Sequence, residues 1–259
     1  MIAKTEHEIA ELRYSGKILA EVLRDLMKLV KPGVTTATLD LEAERMIREE
    51  GAVPAFLNYK PSGAKFPFPA ALCISINDEV VHGIPSALRV LKDGDIVSLD
   101  LGLSYNGFFV DSARTMFVEE RSKKNDVQGQ KLMDATRESL AAGIAAVKVG
   151  GRMGDIGAAI EAVARRYRFN VVEELGGHAV GKSVHEKPFI SNVGEVGEGE
   201  KIIDGYVLAL EPILSEGKGA ISLLEDQWTY VTRDGSRAAH FEQTILVTKA
   251  GAEILTPFL

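Results

Sequence analysis

Two aspartates, Asp100 and Asp111, open and close the segment DLGLSYNGFFVD, and two glutamates, Glu211 and Glu242, sit in the apolar runs VLALEPIL and AHFEQTILV. Two histidines, His178 and His185, stand in the glycine-rich segment GGHAVGKSVHEKP, and a third, His82, lies in DEVVHGIP. Carboxylates and imidazoles are the side chains that hold divalent cations and move protons near neutral pH. An acid inside an apolar run is seldom left buried without a partner. The set points either to an oxygen-rich metal site or to wet faces on which the carboxylates are solvated.

The elements that must position these residues follow from local pattern. Asn106-Gly107, flanked by strand formers, is a tight hairpin turn, because both central positions need positive φ. In that register Tyr105 faces Phe108, Leu103 faces Val110, and Gly102 faces Asp111. Side chains alternate along a strand, so Asp100 and Asp111 point to one side as diagonal neighbours. On a buried face two ionised carboxylates repel, so one holds a proton or a cation lies between them. Asp234-Gly235, between Glu211 and Glu242, reads as the turn of a second hairpin with its own pair of acids. Taken singly, each histidine also fits a structural or surface place, and His7, in an amphipathic first helix, is read that way.

Thr5 with Glu8 forms a capping box, and Ile9, Leu12, Leu19, Val22, Leu26 and Leu29 then recur at helical spacing up to Pro32-Gly33. A second helix is expected near 36–50, then an irregular proline-rich stretch, a strand over ALCISIN and the aspartate hairpin. Helices near 126–148 and 153–167 repeat the order. VKPG at 30–33 aligns with VKVG at 147–150, Leu39 with Ile156 and Ala43 with Ile160, at a constant offset of 117. This pattern suggests an ancient duplication within one unit of 259 residues, with halves of about 1–122 and 123–259.

The chain is long enough for a large core, and its 46% apolar and 26% charged residues describe an ordinary globular protein. A net charge of -7 argues against general binding to DNA, and RRYR at 165–168 reads as a solvated helix end. One cysteine makes no internal disulfide, MIAKTEHEIAELR lacks a signal-peptide core, and no run approaches the roughly 20 apolar residues of a membrane span. A cytoplasmic monomer is the expectation.

The ordered set His82, Asp100, Asp111, His178, His185, Glu211 and Glu242, in ISINDEVVHGIP, DIVSLDLG, FFVDSARTMFV, GGHAVGKSVHEKP, LALEPIL and HFEQTILVT, resembles the methionine aminopeptidases of the pita-bread fold. The likeness covers nearly the whole chain. The short path from His185 to Glu211 and a first helix close to residue 1 are similar to the short bacterial type I form. The resemblance implies an α+β fold of two pseudo-symmetric halves whose antiparallel sheets enclose a central metal site. It also implies removal of the initiator methionine from nascent polypeptides with a small second residue, with ribosome association a further expectation.

The implied roles are specific. Asp111 and Glu242 would bridge two divalent ions, Asp100 would chelate one, and His178 with Glu211 would complete the other. This donor set suits cobalt, manganese, iron or zinc. The nucleophile would be metal-activated water, with Glu211 shuttling its proton and His82 and His185 contacting the substrate and the oxyanion. A side-chain nucleophile is disfavoured independently, since Cys73 sits in an apolar strand and no G-x-S-x-G motif occurs.

By position Phe68, Cys73 and Trp228, and on a looser match Phe66, would line the methionine pocket; for the aromatics, core packing is the plain alternative. Four positions depart from the usual pattern: Ala179 stands where glycine is common and Val184 where an aromatic is common, and the usual glutamine and histidine around the last glutamate are exchanged as His240 and Gln243. Val184 would leave a roomier pocket. X-Pro aminopeptidases and dipeptidases share the fold and the ligands, but generally carry an additional N-terminal domain, for which this chain has no room. A non-catalytic, peptide-binding relative would be expected to have lost ligands.

Overall fold

The computed structural model describes residues 1–118 and 126–258, so the boundary expected at 122/123 lies outside the described residues. Helix α1 (Glu6–Met27) starts at Thr5, whose hydroxyl accepts from the Glu8 backbone while the Glu8 carboxylate accepts from Thr5. It ends before Leu29, which lies in the turn that follows. Helix α2 spans Thr36–Glu49. In the second half, α3 (Val127–Ala146) and α4 (Met153–Tyr167) form the matching pair. Thr36 and Met153, the first residues of α2 and α4, preserve the offset of 117 read from the sequence.

Five strands precede residue 119: β1 (Val53–Pro54), β2 (Leu72–Ile76), β3 (Glu79–Val81), β4 (Ile96–Tyr105) and β5 (Phe108–Phe117). Strand β4 is central, with β5 along one edge and β1 and β2 sharing the other, all antiparallel. The β4–β5 register pairs Tyr105 with Phe108 and Gly102 with Asp111, as the turn chemistry requires. Asn106 and Gly107 have φ of 49° and 78°, which a β-branched residue resists and Asn-Gly accepts.

Among the described residues ten shorter strands follow: β6 (Asn170–Val171), β7 (Gly176–Ala179), β8 (Glu186–Ser191), β9 (Val207–Leu210), β10 (Ile213–Ser215), β11 (Ile221–Leu223), β12 (Tyr230–Thr232), β13 (Ala238–His240), β14 (Gln243–Thr248) and β15 (Gly251–Ile254). They build an antiparallel sheet in the order β15-β14-β9-β7-β8 and two small sheets, β13-β10-β6 and β11-β12-β3. The last recruits β3 from the first half, against β12.

Alternation decides which residues meet. Leu99, Leu101 and Leu103 of β4 join a core with Leu12, Leu19 and Leu23 of α1 and Leu39 and Ile47 of α2. Each such buried leucine contributes about 1.5–3 kcal/mol. Asp100 therefore points to the opposite face, away from the helices. In the second half Leu208, Leu210, Ile245 and Val247 pack with Leu132 of α3 and Ile156 and Ile160 of α4, while Val207, Ala209 and Leu246 join the core of the first half. Helices thus cover the outer faces, and the inner faces of the two sheets turn toward each other.

The expected second strand pair is present, β9 and β10 running antiparallel to β14 and β13 in one register that sets Glu211 opposite Glu242, but Asp234-Gly235 is not its turn. Asp234 does not join the strands that carry Glu211 and Glu242. Its turn leads from β12 to β13, which belong to different sheets, and its carboxylate accepts from the backbone of Lys218 and from Ser236. The glutamates themselves stand at breaks, Glu211 between β9 and β10 and Glu242 between β13 and β14. The ladder breaks there because Pro212 has no N–H to donate and the Glu242 backbone pairs elsewhere, with Ala113 of β5. Among the described residues no helix is long and apolar enough to cross a membrane.

Candidate metal centre

Asp111 is positioned three times over. Its backbone N–H donates to Thr244 Oγ1 at 2.9 Å, its carbonyl accepts from the same hydroxyl at 2.8 Å, and one carboxylate oxygen accepts from the Ser112 N–H at 3.0 Å. Ala113 and Glu242 exchange backbone hydrogen bonds, so β5 stitches the two halves together beside the acids. Cys73 of β2 pairs with Asp100, and the β4–β5 register, Gly102 opposite Asp111, sets Asp100 and Asp111 diagonally on one face.

His178 arrives on β7 between β8 and β9. Gly177 before it presses against the Ala209 carbonyl so closely that a Cβ would lie 2.3 Å from the oxygen. The imidazole is nearly buried, and Nδ1 lies 3.0 Å from the Ala179 carbonyl, which it meets as a donor. That tautomer leaves the Nε2 lone pair free, 3.6 Å from Glu211 Oε1 and 3.9 Å from Glu242 Oε1.

Of the eleven residues read from the sequence as ligands, catalytic groups or pocket walls, ten line one cavity of about 450 Å³: His82, Asp100, Asp111, His178, His185, Glu211, Glu242, Phe68, Cys73 and Trp228. His185 packs at a tilt against His178, with ring centroids 4.4 Å apart, and against Tyr59 at 5.0 Å. His82 holds a φ of 58°, a left-handed conformation costly for a side chain of this size, with Trp228 6.1 Å away and Phe68 5.2 Å beyond that.

Phe66 is not brought in; it is 59% exposed, on the proline-rich stretch, where nothing in the local pattern distinguishes it from Phe68. Val184 is buried in the apolar cluster of Phe56, Phe68 and Cys73 and does not itself line the cavity. Phe56 and Tyr59 supply wall instead. Neither carried a sequence signal, since both lie in irregular chain.

The electrostatics are those of a site short of positive charge. Burial, reinforced by the neighbouring acids, drives Asp111 and Glu242 well above the carboxylate range. Burial pushes Glu211 up to about 8, and burial with Glu211 nearby pushes Asp100 up to about 7 against the pull of His240. Burial holds His178 down to about 3 and His82 and His185 to about 4, so all three imidazoles are neutral at physiological pH. Four acids this close cannot all ionise unless a cation joins them.

The residues present fit that cation. Asp111, His178 and Glu242 offer ligand atoms all within 4.8 Å of one another, and Asp100 Oδ1 is buried without a hydrogen-bond partner. Mixed carboxylate and neutral imidazole donors suit divalent first-row transition ions.

The model of metallopeptidase family M24 matches residues 10–249. The chain belongs to this family. Within M24 it is 44% identical over 254 residues to the methionine aminopeptidase of Aquifex aeolicus, covering 97% of both chains. The crystal structure of methionine aminopeptidase from Rickettsia prowazekii superimposes with a TM-score of 0.90 at 37% identity, covering 99% of this chain and 100% of that one. The fold is accordingly the pita-bread fold expected from the sequence. The X-Pro aminopeptidase from Thermotoga maritima shares that fold alone, at 19% identity and a TM-score of 0.73, and the match covers 62% of its chain.

Proposed function

We propose that this M24 metallopeptidase is a methionine aminopeptidase that releases the N-terminal methionine of new polypeptides whose second residue is small. The observation that carries the reading is the convergence of five candidate metal-ligand residues and an aromatic wall on one cavity, in a chain near-coextensive with methionine aminopeptidases.

Asp111 and Glu242 would be shared between two divalent ions, Asp100 would hold one, and His178 with Glu211 the other; cobalt, manganese, iron and zinc all suit the donors. Bound there, such ions supply Lewis acidity, which lowers the pKa of a water to about 7 and polarises the scissile carbonyl. Glu211, whose buried carboxyl binds a proton readily, takes the proton from the attacking water and delivers it to the leaving amine. His82 and His185 stay neutral and each presents an N–H to the substrate carbonyl as its oxygen gains charge. Phe68, Trp228 and Cys73 take the methionine side chain, sulfur favouring aromatic edges. The Cys73 thiol is wall and not nucleophile, because burial and the nearby acids hold its pKa far above neutral.

Nascent polypeptide substrates, and a buried free thiol that suits a reducing compartment, support the reading of a cytoplasmic enzyme acting near the ribosome. A monomer suffices, since one chain supplies every residue named.

Release of methionine from Met-Ala-Ser in the presence of manganese, cobalt or ferrous iron, with little cleavage of Leu-Ala-Ser or Leu-Pro-Ser, is the expected result. Equal cleavage of Met and Leu substrates would make it a broader aminopeptidase, and preference for the proline peptide an X-Pro enzyme.

A further inference from the structure

The Glu211 carboxylate lies between two imidazoles, with Oε1 3.6 Å from His178 Nε2 and Oε2 3.4 Å from His240 Nε2. The two contacts differ in chemistry. His178 donates through Nδ1 to the Ala179 carbonyl, so its Nε2 carries a lone pair and has no proton to give. His240 Nε2 is buried, has no hydrogen bond of normal geometry, and belongs to a side chain only 2% exposed.

We propose that His240 is a positioning residue for Glu211, its Nε2–H donating to Oε2 and leaving Oε1 turned toward His178 and the ligand cluster. The assignment rests on the metallopeptidase reading of the site. A movement of a few tenths of an ångström brings 3.4 Å into the normal range for N–H···O, and a buried donor left unpaired is costly enough to drive it.

The backbone of His240 is fixed for this purpose from the other half of the molecule. Its N–H donates to Thr115 Oγ1 at 2.9 Å, and the same hydroxyl donates to its carbonyl at 2.7 Å. Ser98 Oγ lies 2.7 Å from Thr115 Oγ1, so the anchor stands on β4 and β5, the strands that carry Asp100 and Asp111. His240 thereby ties the orientation of Glu211, in the second sheet, to the strands of the first.

The exchange of His240 and Gln243 then has a physical meaning. Gln243 points away from the cluster, its Nε2 donating to the Thr256 carbonyl at 2.9 Å. The residue on the site side is the one whose donor reaches Glu211. Groups that orient metal ligands in this way are worth about 10–100-fold in metal affinity or activity.

Metal-stripped wild type, His240→Ala, His240→Gln and Gln243→Ala are titrated with Mn(II) by calorimetry, and kcat and KM are measured on Met-Ala-Ser. His240→Ala is expected to bind Mn(II) about 10–100-fold more weakly and to lose kcat with KM little changed. His240→Gln, which keeps an N–H donor, is expected to recover most of the affinity, and Gln243→Ala to match wild type. His240→Leu, which fills the space without a donor, serves if the alanine variant does not fold. Wild-type affinity and kcat in the donor-free variants would overturn the assignment, as would a glutamine variant no better than alanine. Failure of wild type itself to take up Mn(II) would instead overturn the metal reading beneath it.

Discussion

Glu242 and Ala113 exchange two backbone hydrogen bonds, at 2.9 and 3.4 Å, across the line where the two halves meet. Asp111 lies two residues from Ala113 on the same face of β5, so this one exchange sets its carboxylate beside that of Glu242. The Ser112 hydroxyl adds a bond to the Glu242 carbonyl at 2.8 Å. The join between halves and the site are therefore the same structure.

Asp111→Asn follows directly. It is expected to cut kcat/KM by about 10³-fold, about 4 kcal/mol of transition-state stabilisation, through loss of a shared metal ligand. In the metal-free protein the same change removes one of four crowded buried acids and is expected to raise the melting temperature. Activity assays and melts after chelation check both signs, and a variant that melts lower without metal would contradict the electrostatic account.

A pH dependence of the metal-stripped protein is expected in the same direction. The folded pKa values of Glu211, about 8, and Asp100, about 7, lie above their ordinary values, so between these limits the folded chain holds more protons than the unfolded one. Their contribution to stability is fully present below about pH 4, near the unfolded carboxylate range, and is lost as pH rises through about 7 to 8. Thermal melts after chelation are expected to fall from pH 5 to pH 8, with Mn(II) abolishing the fall.

His82→Ala and His185→Ala are expected to retain metal while losing about 10²–10³-fold in kcat, as befits donors to a developing oxyanion. Calorimetric metal titration beside steady-state kinetics separates this from a ligand role.

Trp228→Ala removes the ring that packs 5.2 Å from Phe68 and 6.1 Å from His82. It is expected to narrow the preference for Met over Leu substrates by about 1–3 kcal/mol in kcat/KM. Val184→Phe, by contrast, forces a larger ring into a packed cluster and is expected to cost about 1–3 kcal/mol of stability, read by denaturant unfolding.

Much of this was legible in the chain because its signals are local. Asn106-Gly107 imposes its own φ values and so determines the β4–β5 register, from which the neighbouring aspartates follow. The first helix announced itself by its capping box and apolar spacing, and the three further helices expected from the sequence form near the expected bounds. What period-two alternation does not carry is the identity of a strand's partner. The breaks at Glu211 and Glu242 arise because Pro212 has no N–H and Glu242 bonds to β5 across the molecule, and Asp234-Gly235 turns the chain between two sheets instead of closing the pair. The place of His240 at Glu211 and the walls from Phe56 and Tyr59 are likewise products of tertiary packing.

The most direct measurement is a crystal structure grown with Mn(II) and recorded for its anomalous signal. The account expects density within bonding distance of Asp100, Asp111, His178, Glu211 and Glu242, with His178 ligating through Nε2. Anomalous density elsewhere, or none in this cluster at saturating Mn(II), would contradict it.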